Sequence, residues 1–196
     1  MKAVITIIFC SILISGISAQ ISGDNVQANL PDQSFITLQL AGINSIGHIK
    51  DDWDSGITVY AGYGDISDNN WALMLHTGYI SLEPNPAGNY SSDSKITIIP
   101  LMVGARYYIL RQNFRPFVLA NSGVNIIIEK STLDEVPVDI TKVRTHFQVG
   151  AGMSLQVVRQ IEIEVAAKYN SHLLEPSIPY NFTGVEYGIA LNWLLK

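Results

Sequence analysis

Cysteine is almost missing from this chain. Its 196 residues contain one, Cys10, so disulfides hold nothing together even if the destination is oxidising. Charge is also scarce, at 15% of residues against about 25% in an average globular chain, while 47% are hydrophobic. So few charges cannot keep a chain solvated and expanded, which excludes disorder. Basic residues are outnumbered, twelve Lys+Arg against seventeen Asp+Glu for a net charge of −5, which excludes a general nucleic-acid binder. The signatures of phosphate binding and of a nucleophile elbow are missing too. Gly62-Tyr63-Gly64 and Gly150-Ala151-Gly152 lack a third glycine and a following helix, and no Gly-x-Ser-x-Gly occurs. Fifteen glycines and nine tyrosines spread along the chain point instead to sheet and turns.

The first segment has the order of a secretory signal. Met1-Lys2 is followed by an apolar run from Ala3 to Ile14 and by small residues ending at Ser18-Ala19, which predicts cleavage after Ala19. Twelve apolar residues fall short of the roughly 20 that a membrane-spanning helix needs. The expected organisation is a signal peptide over 1–19, a polar lead-in over 20–33 and one domain over 34–196.

Beyond the lead-in, nearly everything alternates with a period of two. Ile161, Ile163, Val165, Ala167 and Tyr169 share one face, while Glu162, Glu164, Ala166, Lys168 and Asn170 share the other. Phe147 to Leu155 and Val185 to Trp193 repeat the pattern. Eight strands are predicted, near 34–43, 55–65, 71–81, 95–109, 115–128, 141–157, 160–171 and 182–195. Short connections (67–70, 110–114, 158–160) alternate with long ones (44–54, 82–94, 129–140, 172–181). A soluble barrel has no reason to sort its loops by length onto opposite ends, whereas an outer-membrane barrel does so.

The faces choose the solvent. One is bulky and apolar; the other mixes Gly, Ala and Ser with a few charges. An eight-stranded barrel is only wide enough inside for side chains to fill it, so the small and polar face belongs inside and the apolar face meets lipid. Tyr63, Trp71, Tyr79, Tyr107, Tyr169 and Trp193 lie near strand ends, where they would form interfacial aromatic girdles. The predicted fold is all-β, an eight-stranded antiparallel up-and-down transmembrane β-barrel.

From Phe35 to Lys196 the chain resembles the small bacterial outer-membrane β-barrel family. The resemblance is carried by Ile98-Ile99-Pro100-Leu101 running into Val103-Gly104-Ala105-Arg106-Tyr107-Tyr108, by Arg115-Pro116-Phe117-Val118, and by Val149-Gly150-Ala151-Gly152. The last strand, with Glu186, Gly188, Leu191 and Trp193, is similar to the family's assembly signal, although it continues through Leu194-Leu195-Lys196. The resemblance implies the outer membrane as location, outer-membrane lipid and the barrel-assembly machinery as partners, and a monomer. It is nearly silent on activity, because the family includes anchors, adhesins, small pores and a few enzymes.

The candidate site is a lumen charge network. Arg106, Glu162, Glu164, Lys168 and Glu186 fall on the predicted inner face, where unpaired charges are costly. The residues read either as a salt-bridged plug or as an ion-selective lining. The long connections hold ten of the seventeen carboxylates, Asp51, Asp52, Asp54, Glu83, Asp93, Glu129, Asp134, Glu135, Asp139 and Glu175, an acidic surface open to a cationic partner. Asp52-Trp53-Asp54-Ser55-Gly56 is only faintly like a calcium loop. His48, His76, His146 and His172 have no close metal-ligand spacing. Ser171-His172, near Glu175, is a weak candidate for the acyl-modifying chemistry of some small barrels, since neighbours in a strand point to opposite faces. No catalytic residue, cofactor or nucleic-acid partner is expected. The leading function is a non-enzymatic scaffold that displays its surface loops in support of envelope integrity or surface contacts. The alternatives are a narrow passive pore and, more remotely, a lipid acyl-modifying enzyme.

Overall fold

The computed structural model describes residues 33–47, 49–67, 70–88, 90–110, 112–133, 136–173 and 183–195. The expected signal, all of the lead-in before Gln33, and His48, Asp134, Glu135 and Glu175 lie outside these residues. The alternating segments become eight strands: β1 (Gln33–Ile46), β2 (Trp53–Ile66), β3 (Trp71–Pro84), β4 (Lys95–Tyr108), β5 (Phe114–Leu133), β6 (Val136–Val158), β7 (Ile161–Leu173) and β8 (Thr183–Leu194). Each strand pairs antiparallel with its neighbours in sequence, and β1 pairs with β8 to close the barrel. Closure gives every membrane-embedded strand a partner on both sides, so no backbone edge faces lipid.

The pleat sorts the side chains. Outward positions are large, apolar and bare: Leu38, Leu73 and Val103 are 58%, 70% and 62% exposed. A continuous apolar surface of this kind suits hydrocarbon, not water. Tyr63, Trp71 and Trp193 stand on it near the short turns, and Tyr79 and Tyr169 nearer the long connections, all exposed. Tyr107 is half-buried because its ring stacks against Trp71 at 5.0 Å. Trp71 and Tyr79 are eight residues apart on β3, about 26 Å of strand at about 3.3 Å per residue. A tilt of about 40° projects this to about 20 Å, close to the height of a barrel's apolar band.

The strands are longer than the alternation predicted, always at the long-connection end. β5 and β6 run through most of the expected loop at 129–140, staying in register from Glu129↔Ile140 to Leu133↔Val136. Here Lys130 lies opposite Asp139, and this charge alternation on a two-stranded ribbon was taken for loop polarity. Glu129 and Asp139 therefore stand on strands, as do Asp54 on β2 and Glu83 on β3. The connection between β1 and β2 holds one short helix, α1 (Ile49–Asp52). That helix ends at Asp52 and β2 begins at Trp53, which is 3% exposed. Asp52 to Gly56 is therefore no ion-wrapping loop.

The interior also departs from expectation, because large apolar side chains share the lumen with small and polar ones. Phe35, Ile66, Met74, Tyr108, Phe117 and Leu119 cluster at the short-turn end. Ile43, Trp53, Ile80, Leu82, Ile96, Ile98 and Met102 cluster toward the long connections. Glycines opposite make the room: a Cβ on Gly64 would meet the Phe35 ring and one on Gly152 the Phe117 ring.

Candidate functional site: the charged lumen

The five charges singled out in the sequence all project into the lumen and are nearly inaccessible, each at most 5% exposed. They form two tiers. In the lower tier, near the short turns, Arg106 from β4 forks onto Glu164 of β7, with Nη1 at 2.8 Å from Oε2 and Nη2 donating to Oε1 at 3.0 Å. The guanidinium lies 4.1 Å from the Phe117 ring centroid, a desolvated stacking geometry. Arg106 Nη1 also donates to the Tyr108 hydroxyl at 3.2 Å. Glu162 pairs with Arg115 of β5, and Asn192 Nδ2 ties the two carboxylates together at 3.0 Å from Glu162 and 3.2 Å from Glu164.

The upper tier lies at mid-height. Lys168 Nζ is 3.2 Å from Glu186 Oε1 and donates to Gln39 Oε1 at 2.5 Å. Gln39 Nε2 in turn donates to Glu186 Oε1 at 2.9 Å, and the Tyr60 hydroxyl to Oε2 at 3.0 Å. Beside it, a chain of amides crosses three strands: Asn121 Nδ2 to Gln148 Oε1 at 2.6 Å, then Gln148 Nε2 to Asn170 Oδ1 at 2.7 Å.

Sequence reasoning missed Arg115, Gln39, Tyr60 and Asn192. Arg115 was placed with the short turns, yet it shares its parity along β5 with Phe117, Leu119 and Asn121, all buried. Parity carried to the strand's first residue would have found it. With Arg115 included, the buried charges among the described residues are three cations and three carboxylates. The lumen is thus electrically neutral, as burial in a low dielectric requires. Between the tiers lies a void of about 20 Å³, lined in part by Gln39, Tyr60, His76, Arg106 and Lys168, room for about one water.

The protein-family comparison is decisive. A family model described as "Outer membrane protein beta-barrel domain" matches residues 9–193. The chain belongs to this outer-membrane β-barrel family. No curated protein matches the sequence. Among solved structures, the Neisserial surface protein A is similar at 13% identity with a TM-score of 0.63, covering 82% of this chain and 96% of that one. Ail, the attachment invasion locus protein of Yersinia pestis, is 11% identical with a TM-score of 0.55, covering 85% and 100%. OprG of Pseudomonas aeruginosa is 14% identical with a TM-score of 0.53, covering 84% and 97%. These likenesses are of fold.

For an outer-membrane barrel of this family, the remaining sequence candidates fall as follows. Glu186, Gly188, Leu191 and Trp193 lie on the closing strand β8, where Leu191 pairs with Leu38 and Trp193 with Ile36. Glu186 and Gly188 project inward and Leu191 and Trp193 outward, at 46% and 51% exposure. Ser171 and His172 are consecutive residues of β7, in register with Phe147 and His146. The strand has not ended there, so the two positions face opposite sides of the sheet. Among the described residues, no group of three His, Cys, Asp or Glu could hold a metal ion.

Proposed function

We propose that the protein is a non-enzymatic scaffold barrel of the outer membrane, closed through its lumen, whose long connections support envelope integrity or surface contacts. The observation that carries this reading is the neutral, hydrogen-bonded lumen network, which leaves a mid-barrel void of only about 20 Å³. A pore needs a wet path with charges that solvent and ions can reach, whereas each charge here is buried against its partner. The acidic residues at the long-connection end, among them Asp51, Asp54, Glu83 and Asp93, suit a cationic surface partner. The closing strand suits recognition by the barrel-assembly machinery, and the barrel serves as a monomer. Planar-bilayer recording of the inserted protein tests the reading. Silence at both polarities is expected; reproducible discrete steps in the unmutated chain would make it a pore and overturn the plug.

A further inference from the structure

The ladder between β3 and β4 ends at Leu82↔Ile96. Beyond it a recess of about 560 Å³ opens, lined by Ser81, Glu83, Tyr90, Ser92, Asp93 and Lys95 among others, within the size range of small-molecule sites. Its outer segment, 85–94, is tied down on both flanks. Asn85 N–H donates to Asp52 O at 2.7 Å, and Asn85 Nδ2 to Lys50 O at 2.8 Å. On the other flank Ser91 N–H donates to Thr132 O at 3.2 Å, and Thr132 N–H to Ser94 Oγ at 3.1 Å. The recess therefore has braced walls.

Two lysines meet beside it. Lys95 and Lys130 are direct cross-strand partners on β4 and β5, both exposed on the outward face, and neither is ion-paired among the described residues. Like charges directly opposite each other on a sheet destabilise it, and an anion held between them reverses the sign. Lys95 Nζ stands 5.7 Å from the Tyr79 ring centroid, and that ring belongs to the aromatic girdle nearer the long connections. On the same outward face toward the membrane centre, the paired positions Ile99↔Ile126 and Leu101↔Val124 form an exposed apolar column. Cations, a recess and a lipid-facing column thus follow one another along two adjacent strands.

We propose that this recess and its paired lysines bind a phosphorylated glycolipid of the outer leaflet. Its phosphate sits between Lys95 and Lys130, its sugar enters the recess, and its acyl chains lie along the column. The carboxylates of Glu83 and Asp93 select the class. They would repel a bare phosphate, but they accept hydrogen bonds from sugar hydroxyls. The site depends on the barrel's place in the membrane and not on whether the lumen conducts.

Native mass spectrometry of the intact protein released from micelles tests this, with diphosphorylated lipid A as the probe and phosphatidylglycerol and inorganic phosphate as competitors. One lipid A should be retained per barrel. Hydrogen bonds to charged groups contribute about 1.5–3 kcal/mol each, so the double variant Lys95→Gln with Lys130→Gln should weaken retention at least about tenfold. Lys142→Gln, on β6 outside the recess, should leave retention unchanged. Heat-modifiable gel mobility confirms that each variant is folded, and the two single lysine variants serve if the double variant is not. Equal retention by wild type and double variant would overturn the site. An equal loss in Lys142→Gln would reduce it to general charge attraction. Competition by inorganic phosphate as effective as the lipid would also overturn the assignment to a glycolipid.

Discussion

The two halves of the lumen are filled by different chemistry. Toward the short turns, Arg106, Arg115, Glu162 and Glu164 are locked among Phe35, Tyr108 and Phe117. Toward the long connections, on the side built by β1 to β4, the filling is Ile43, Trp53, Ile80, Leu82, Ile96 and Ile98. Apolar filling stabilises by area and tolerates rearrangement at modest cost. A buried ion pair gains little net stability over an apolar filling, but it penalises every arrangement that separates the partners. The charged half therefore specifies the closed lumen and the apolar half adds stability to it.

Arg106→Ala should break this comparison most strongly. It strands Glu164 in a buried site with Asn192 as its remaining printed partner, and loss of one partner of a buried pair costs about 4 kcal/mol. Urea unfolding in detergent micelles measures it, and bilayer conductance should rise as water enters around the orphaned carboxylate. Replacing both partners, Arg106→Met with Glu164→Leu, should recover most of the stability. If the double variant is as unstable as the single one, the pair is not the unit of stability and the contrast between the halves disappears.

Ile98→Ala sharpens the contrast from the other side. Ile98 is 1% exposed in the apolar cluster, so its truncation should cost about 3 kcal/mol through lost burial and a cavity. Conductance should stay at the wild-type level, because the empty space is apolar and stays dry. Opening of the lumen in this variant would show that the apolar half also governs closure.

Tyr60→Phe probes the boundary between them. The Tyr60 hydroxyl donates to Glu186 at 3.0 Å while the ring joins the apolar cluster. Removing only the hydroxyl should cost about 1.5 kcal/mol, the value of a hydrogen bond to a charged acceptor, since Gln39 and Lys168 still hold the carboxylate. A double-mutant cycle with Gln39→Leu separates this coupling from ordinary packing.

Which of these features could be read in the sequence follows from their range. The barrel, its closure and the two-faced pleat were legible, because Ile161 to Asn170 alternate without a break and each strand repeats the rule. The inward charges followed from the same parity. Their partners did not: Arg106 meets Glu164 across 58 positions and Gln39 meets Glu186 across 147, and no local pattern encodes which strands face each other across a lumen. Large inward residues such as Phe35 and Phe117 were unexpected because each needs a glycine on the adjacent strand, Gly64 or Gly152. The extended β5–β6 ribbon was hidden for a local reason. Outside the membrane both of its faces are polar, so the apolar alternation fades while the hydrogen-bond ladder continues.

The smallest expected effect lies outside the lumen altogether. Asn85 joins the β3–β4 connection to α1 through its side chain, which donates to Lys50 O at 2.8 Å and accepts from Ala87 N–H at 3.0 Å. Both hydrogen bonds are exposed, so water replaces them readily, and Asn85→Ala should change global stability by no more than about 0.5 kcal/mol. The local effect should be larger than the global one. Amide hydrogen exchange across 85–88 and 49–52 should speed up several-fold, while protection of the barrel strands stays unchanged. The external connections would then form a unit that opens independently of the barrel, which a surface able to adapt to a partner requires. If the unfolding midpoint instead falls as far as in Tyr60→Phe, the connections and the apolar half beneath them open together. The boundary between rigid and adaptable regions would then lie at the charged tiers and not at the membrane surface.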